Sequence, residues 1–570
     1  MKYIKRLLAV LLVTGAGAAA FMLYSPGQVV GKATQALTMY YNVKKADAVN
    51  SSGINIQRDG ECLELTGRQR PYMTQSMEVM IPVTQVPVIF YGTTDVEKDG
   101  SLQFMANGHQ VTVFPEKDGC LVDGDQWDYK TPVIQRSGQI YVSAARLARA
   151  FGGNFVWNEE NNTGIVTNAD VSGGSDSLPR AYDMRRDHRL TPVRDQGTLG
   201  TCWAFASLGA LESSLMPEQE DVFSPDHMSF MCGYNMSQQD GGDFNMALAY
   251  LTSWKGPVLE SEDPYGDGAT NDSLQAKVHL QDAVSIEAKD FDGIKAAIYQ
   301  WGGVQSSFYS DMEFANSSSS YYNIRNSSYY YPGKNTANHD IVIVEWDDDY
   351  PKENFNVYPE NDGAFLCRNS WGSQFGDDGY FYISYEDTNI GTDNLVYTRV
   401  DGTDNYDFIY QSDLLGWIGT IGYGEEGAWF SNVYTAGENE TIKAASFYTT
   451  GPSSYFDIFV VRDFTDSHSF DTMEYVKSGY IADAGYYTED FAKDISVDAG
   501  QRFAVVVHLI TQDSLRPVAI EYETGEWTSS VDISDGEGYI SYDGRTWENI
   551  ESVYDSNACL KVFTDRRENQ

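Results

Sequence analysis

Apolar positions change their period along the chain. The run CWAFASLGALESSLM, opening at Cys202, predicts a helix, and FSPDHMSFMCGY and NMALAYLTSW predict two more. Further on, HDIVIVEW, GAFLCRNSW and GYFYISY are short, apolar and rich in β-branched or aromatic residues, which predicts strands. A helical half followed by a sheet half is the order of an α+β domain, and the two halves are expected to leave a cleft between them. That domain spans residues 178–400.

The flanking segments follow other patterns. Over residues 71–170, strands such as MEVMIPV and QVTVF alternate with turns. The segment closes on GQIYVSAARLARAFGGNFVWNEENNTGIVTN, which reads as strand, helix, Gly-Gly stop and hairpin. Residues 81–92 look like a degraded copy, so a small repeated αβ unit is expected. VSGGSDS, residues 171–177, is a linker by composition. Residues 404–565 lose helical periodicity, and short alternating runs such as FDIFVVRDF and RFAVVVHLI, separated by turn residues, predict an all-β sandwich. Its aromatic runs, including DLLGWIGTIGYGEEGAWF, are expected in the core, with sugar or wall-polymer stacking as the other reading. The fold class is therefore multidomain.

At the start, Lys2, Lys5 and Arg6 precede an uncharged run over residues 7–24, a pattern that predicts an export signal. The run also approaches the length of a membrane span, so cleavage and retention as an N-terminal anchor both stay open, and a membrane partner enters only through retention. Residues 25–70 read as a spacer. The chain is expected outside the cytoplasm, secreted or at the cell surface.

Charge narrows the partners. The 570 residues carry 82 acidic and 39 basic side chains, a formal net charge of −43, which repels nucleic acid and anionic lipid surfaces. Hydrophobic residues at 42% are ample for burial, so the acidity does not mean disorder. The six cysteines are scattered without a C-x-x-C pair, which argues against a disulfide framework or a zinc cluster.

Cys202 lies between a glycine-broken loop and a helix start, where backbone N–H groups and the helix dipole stabilise a thiolate. A histidine that took up its proton would lower the thiol further, toward roughly 3 to 4 in the extreme. Of the seven histidines, His188 sits in a charged run, and His227 and His279 lie in polar helical contexts that favour solvated rings. His339 opens a strand pattern and is placed at the rim of a sheet. Thirty residues on, Asn369 can orient an imidazole and Trp371 can shield that bond from water. Gln196, six residues before Cys202 on a loop freed by Gly197 and Gly200, can aim an amide at a developing oxyanion.

The blocks TPVRDQGTLGTCWAF, GGDFNMALAYL, EDPYG, NHDIVIVEWDD and RNSWGSQFGDDGYFYIS resemble the papain (C1) family of cysteine peptidases. The resemblance implies Cys202 as nucleophile, His339 as general base and then acid, Asn369 as orienter and Gln196 as oxyanion donor. It implies Gly241 and Gly242 as a backbone edge for an extended peptide, with Asp243 at the rim of the adjoining pocket, where a preference for basic side chains and a merely hydrated carboxylate both stay open. No cofactor is implied. The rival is a catalytically idle peptidase fold acting as a surface adhesion protein.

Leu199 and Gln239 stand where the family often has a disulfide, so the nucleophile loop is expected to be held by packing; Cys232 and Cys367 are expected as buried thiols. Asp347, Asp348 and Asp349 lack the glycine-punctuated spacing of a calcium loop, and a solvated turn is expected there. Residues 71–170 resemble the copper amine oxidase-like N-terminal domain, a stalk module. No copper follows, because His109 is the segment's only histidine. Residues 404–565 resemble the lectin-like domain that follows C1 peptidase domains in bacterial exported proteins, which leaves a carbohydrate or cell-wall ligand as a hypothesis.

Overall fold

The computed structural model describes residues 54–58, 61–63, 70–74, 78–114, 120–127, 134–136, 139–158, 162–167, 178–312 and 318–567. The export signal, most of the spacer and the linker lie outside the described residues. Two compact units divide the chain, one of residues 1–94 and 99–173, the other of residues 95–98 and 174–570.

Among its described residues, the first unit is β-rich with two short helices. Gln139–Ser143 pairs antiparallel with Val79–Pro82, and each strand leads into a helix, Ala144–Ala150 and Val86–Phe90 respectively. Ser143 caps the first of these by accepting from the Arg146 N–H, and Gly152, at φ +75°, follows its end. Phe90 and Phe151 pack with ring centroids 5.3 Å apart, so the two copies of the strand-helix motif share one core. The closing hairpin pairs Asn154–Asn158 with Thr163–Thr167.

In the second unit a short strand, Ala181–Asp183, precedes three helices: α1 (Cys202–Leu215), α2 (Pro225–Met231) and α3 (Phe244–Thr252). Eleven of the fourteen residues of α1 are buried, so it is a central helix with no solvent stripe. Then come β1 (Val278–Ile286), α4 (Phe291–Gln300), β2 (Val304–Phe308), β3 (His339–Asp347), β4 (Ala364–Arg368), β5 (Tyr380–Ser384) and β6 (Asn394–Gly402). Their sheet runs β5-β4-β3-β2-β6-β1, and α1 packs against it, with Gly209 letting the helix approach Val342 and Arg368.

The sandwich follows as β7 (Gly427–Thr435), β8 (Glu440–Thr449), β9 (Ser454–Val461), β10 (Glu474–Ile481), β11 (Ala484–Val497), β12 (Arg502–Thr511), β13 (Gly538–Ser541) and β14 (Leu560–Arg566). One layer runs β13-β7-β12-β9-β10. The other, β11-β8-β14, continues the first sheet without a break, because β11 pairs with β1 through Ala283 and Tyr486, Val284 and Gly485, and Ser285 and Ala484. Thr488 ties down the same seam by donating from its N–H to Asp282 Oδ1 (2.8 Å) and from Oγ1 to Gln281 O (2.8 Å). Of the aromatic run, Trp429 and Phe430 are buried, while Trp417 and Tyr423 are half-buried.

A side chain at Gly485 would put its Cβ 2.2 Å from Ala283 O across this seam. Gly485→Ala is therefore expected to lower stability by about 1 to 3 kcal/mol, the usual cost of overpacking. Chemical denaturation checks this, and an unchanged midpoint would show the seam to be looser than described.

Two histidines depart from expectation. His227 is buried on α2, where Nδ1 lies 2.7 Å from the Tyr250 hydroxyl, and His279 belongs to strand β1 rather than a helix. The His279 ring stacks on Trp254 at 3.8 Å and pairs with Asn405, so neither imidazole is a solvated surface group. His188 is exposed as expected.

Candidate active site

Helix α1 sets Cys202 in its first turn, at the end where backbone N–H groups lack partners within the helix. The backbone N–H groups of Asp340, Trp203 and Cys202 itself lie near enough to the sulfur to favour its thiolate. The first of these places it beside the residue that follows His339, so the helical and sheet halves meet at the thiol.

His339 begins β3 with its ring buried. Its Nε2 lies 2.8 Å from Asn369 Oδ1, at the end of β4. An amide oxygen only accepts, so Nε2 carries the proton and Nδ1 is the basic nitrogen of the neutral ring. Trp371 covers this pair, its ring 4.8 Å from the imidazole, and Phe308 closes another side at 5.7 Å. Asn369 Oδ1 also accepts from the Ser370 N–H (2.8 Å), which fixes the amide.

Gln196 is held at three points. Its backbone N–H donates to Ser370 O (2.8 Å), its Oε1 accepts from Ser370 Oγ (2.5 Å), and its Nε2 donates to Leu199 O (2.8 Å). Nε2 has a second hydrogen, which this arrangement does not use.

Gly241, at φ +86°, and Gly242 line the facing edge. Gly242 lies on the indole of Trp203, where a Cβ would sit 2.5 Å from Nε1. Asp243 Oδ1 accepts from the N–H groups of Asn245 and Met246, so this rim residue is also the cap of α3. Besides Cys202, the residues singled out from the sequence lie on the loop before α1, the segment leading into α3, the start of β3 and the end of β4.

The electrostatics differ from the expected depressed thiol. Burial pushes the Cys202 thiol up to about 12, the Asp340 charge adds to this, and the three backbone N–H groups oppose it. Burial likewise pushes His339 down to about 4, against its bond to Asn369. Each group taken alone is therefore neutral. Moving the proton from sulfur to imidazole creates both charges together, and their mutual attraction offsets part of the desolvation that each would feel singly.

The loop that carries Gln196 is clamped by hydrogen bonds, which corrects the expectation of packing alone. Gly200 N–H donates to Gln238 O (2.8 Å), joining the loop to the segment before Gly241 beside Leu199 and Gln239. The Tyr265 hydroxyl lies 2.6 Å from Thr201 Oγ1 and donates to Gln196 O (2.9 Å). Cys232 and Cys367 are buried thiols outside any disulfide.

Beneath the site is a network that sequence reasoning missed. Glu212 of α1, with no exposed surface, accepts from Arg194 Nη2 (2.7 Å), the Phe223 N–H (2.9 Å) and Thr191 Oγ1. Arg368, next to Asn369, reaches the same carboxylate at 3.9 Å and donates to Thr191 Oγ1 (3.1 Å) and Pro192 O (2.7 Å). In the acidic loop, Asp348 pairs with Lys295 (2.7 Å) and Asp349 with Arg180, so the turn is knit by ion pairs. His109 lies 2.8 Å from Asp123 in the first unit.

This constellation is that of a thiol peptidase, and the comparisons agree. Residues 178–400 match the family model "Papain family cysteine protease", and this segment belongs to that family. Residues 409–564 match "Lectin like domain", and residues 57–166 match "Copper amine oxidase N-terminal domain". Among solved structures, the chain is similar to the clostridial cysteine protease Cwp84 after propeptide cleavage, at 25% identity and TM-score 0.61, covering 68% of this chain and 99% of that one. The cysteine protease and lectin-like domains of Cwp84, described as a surface layer associated protein of Clostridium difficile, share the fold at 24% identity and TM-score 0.60, over 69% of this chain and 89% of that one. Mouse pro-cathepsin H is 27% identical over 236 residues, 40% of this chain and 67% of the relative. Mouse procathepsin L is 26% identical over 217 residues, 37% of this chain and 62% of the relative.

Proposed function

We propose that the protein is an exported cysteine endopeptidase that hydrolyses peptide bonds through a thioester acyl-enzyme at Cys202. The observation that carries this reading is the 2.8 Å pairing of His339 Nε2 with Asn369 Oδ1, beside a sulfur seated at a helix N-terminus. With Nε2 committed to Asn369, Nδ1 takes the thiol proton as sulfur attacks the peptide carbonyl, and then delivers it to the leaving amine. The second hydrogen on Gln196 Nε2 and the Cys202 N–H receive the oxyanion. Water repeats the sequence on the thioester and releases the acid. Gly241 and Gly242 hold the substrate backbone extended, as an added strand, with Asp243 at its rim.

The basic start and apolar run of residues 1–24 support export, and likeness to a surface layer associated protein supports placement at the cell surface. The boundaries of the stalk at 71–170, the peptidase at 178–400 and the sandwich at 404–565 belong to the same proposal.

The test is irreversible labelling by an epoxide thiol inhibitor, read by peptide mass mapping. The adduct is expected on the peptide that carries Cys202, with Cys120, Cys232, Cys367 and Cys559 buried and Cys62, half-buried like Cys202, reporting ordinary thiol reactivity. Labelling should be lost in His339→Ala. A protein that takes no label and hydrolyses no unfolded substrate would leave the idle-scaffold reading in its place.

A further inference from the structure

Gly241 and Gly242 close a loop, residues 233–242, that begins just beyond α2 and carries no helix or strand. Its shape therefore comes from what it is bonded to. One stretch is fastened within the peptidase: Gln238 accepts the Gly200 N–H on its carbonyl, and its Nε2 donates to Asp226 Oδ1 (2.6 Å) and Ser229 Oγ (2.9 Å) of α2. Ser237 donates from its N–H (2.8 Å) and Oγ (2.7 Å) to Asp240 Oδ2, which folds the tip into a turn.

The other stretch is held from the sandwich. The Asn235 N–H donates to Trp527 O (2.8 Å), and Asn235 Nδ2 donates to Glu526 O (3.3 Å) and Ser529 Oγ (3.4 Å). Ser530 Oγ donates to Gly233 O (2.8 Å), and the Tyr234 hydroxyl donates to Leu415 O (2.9 Å). Gly233, at φ +94°, admits the Leu415 side chain, since a Cβ there would lie 2.8 Å from Leu415 Cδ2. The sandwich side is itself braced. Glu526–Thr528 is a single 3₁₀ turn between β12 and β13, tied by the Thr524 N–H to Thr528 Oγ1 (2.7 Å), and the Leu415 N–H donates to the buried Glu521 carboxylate (2.7 Å).

We propose that the sandwich is a working part of the peptidase: it fixes the Gly241–Gly242 edge through Asn235, a positioning residue, and so sets the affinity for an extended peptide. This rests on the peptidase reading above and gives the sandwich a role that needs no ligand of its own. A loop that binds substrate is as precise as the elements that hold it. An edge already fixed loses little freedom when a peptide pairs with it, whereas a loose one must be ordered at the moment of binding. Freeing residues 233–236 from the sandwich would loosen the edge and leave Cys202, His339 and Asn369 on α1, β3 and β4.

The experiment uses the full chain and two substrates, a fluorogenic peptide long enough to cover the edge and p-nitrophenyl acetate, which acylates the thiol with no peptide to lay on it. In the double variant Asn235→Asp with Ser530→Ala, a carboxylate oxygen replaces the amide donor that faces Glu526 O, and the bond to Gly233 O is lost. KM for the peptide is expected to rise about tenfold with kcat within about twofold, while the acetate rate stays within about twofold. The peptide-to-acetate ratio of kcat/KM therefore falls about tenfold. A merely structural defect lowers the amount of active enzyme and slows both substrates alike. Ser530→Ala alone, expected to lower the same ratio about threefold, serves if the double variant does not fold. A ratio within about twofold of wild type in the folded variant overturns the positioning proposal alone. Hydrolysis of neither substrate by the wild type, together with failure to label Cys202, overturns the peptidase reading as well.

Discussion

Cys202→Ser is expected to lower kcat/KM for a peptide by about 10⁴-fold or more, the scale seen when one member of a nucleophile-base unit is removed. Serine is nearly isosteric, so α1, the clamped loop and the His339–Asn369 pair should persist. What changes is the nucleophile. A hydroxyl gives up its proton far less readily than a thiol, and the imidazole that must receive that proton is itself pushed down to about 4 by burial. Residual hydrolysis above the uncatalysed rate is expected, because Gln196 and the helix N–H groups still face the oxyanion. Steady-state kinetics with a circular dichroism control decides the matter. A folded serine variant that retains a tenth of the wild-type rate would place the nucleophile elsewhere.

Glu212→Gln is expected to remove about 3 to 5 kcal/mol of stability, the range for breaking a buried ion pair from one side. The carboxylate has no exposed surface and accepts from Arg194, Thr191 and the Phe223 N–H, with Arg368 at 3.9 Å. Each of these neighbours is a donor, so an amide in its place would turn an –NH₂ group toward one of them. Two arginines would also lose their counter-charge in a site they share. Denaturant titration measures the loss. A drop below about 1 kcal/mol would mean that water reaches the network. The same substitution should slow hydrolysis, since Glu212 lies on the helix that carries Cys202 and Arg368 adjoins Asn369.

Much of the peptidase could be read in advance because its chemistry is local. The glycine-broken loop before Cys202, the strand opened by His339 and the short block around Asn369 each fit within some twenty residues, and their order along the chain matches their meeting in space. The parts that escaped are those whose meaning depends on distant partners. Val278–Ile286 carries His279, Gln281 and Asp282, which look like solvent-facing polar residues, yet its Ala283–Ser285 stretch pairs with a strand two hundred residues on. His227 and His279 looked hydrated for the same reason, since Tyr250 and Trp254 are not their neighbours in sequence. Asp340 passed unremarked beside His339, because only the pairing of β3 with β2 shows which face it takes. Glu212 sits within a helix so uniformly buried that a single acid reads as an interruption, and its hydrogen-bond and ion-pair partners come from three separate segments.

The clamp on the nucleophile loop has a practical side. A thiol nucleophile works only while it is reduced, and the reductants that keep it so also attack structural disulfides. Here the loop is fastened by Gly200 to Gln238 and by the Tyr265 hydroxyl to Thr201 and Gln196, bonds that electron donors do not touch. The cleft can therefore be held in strongly reducing medium without loosening around the residue that needs it, and its working range of redox conditions is set by the chemistry of one sulfur.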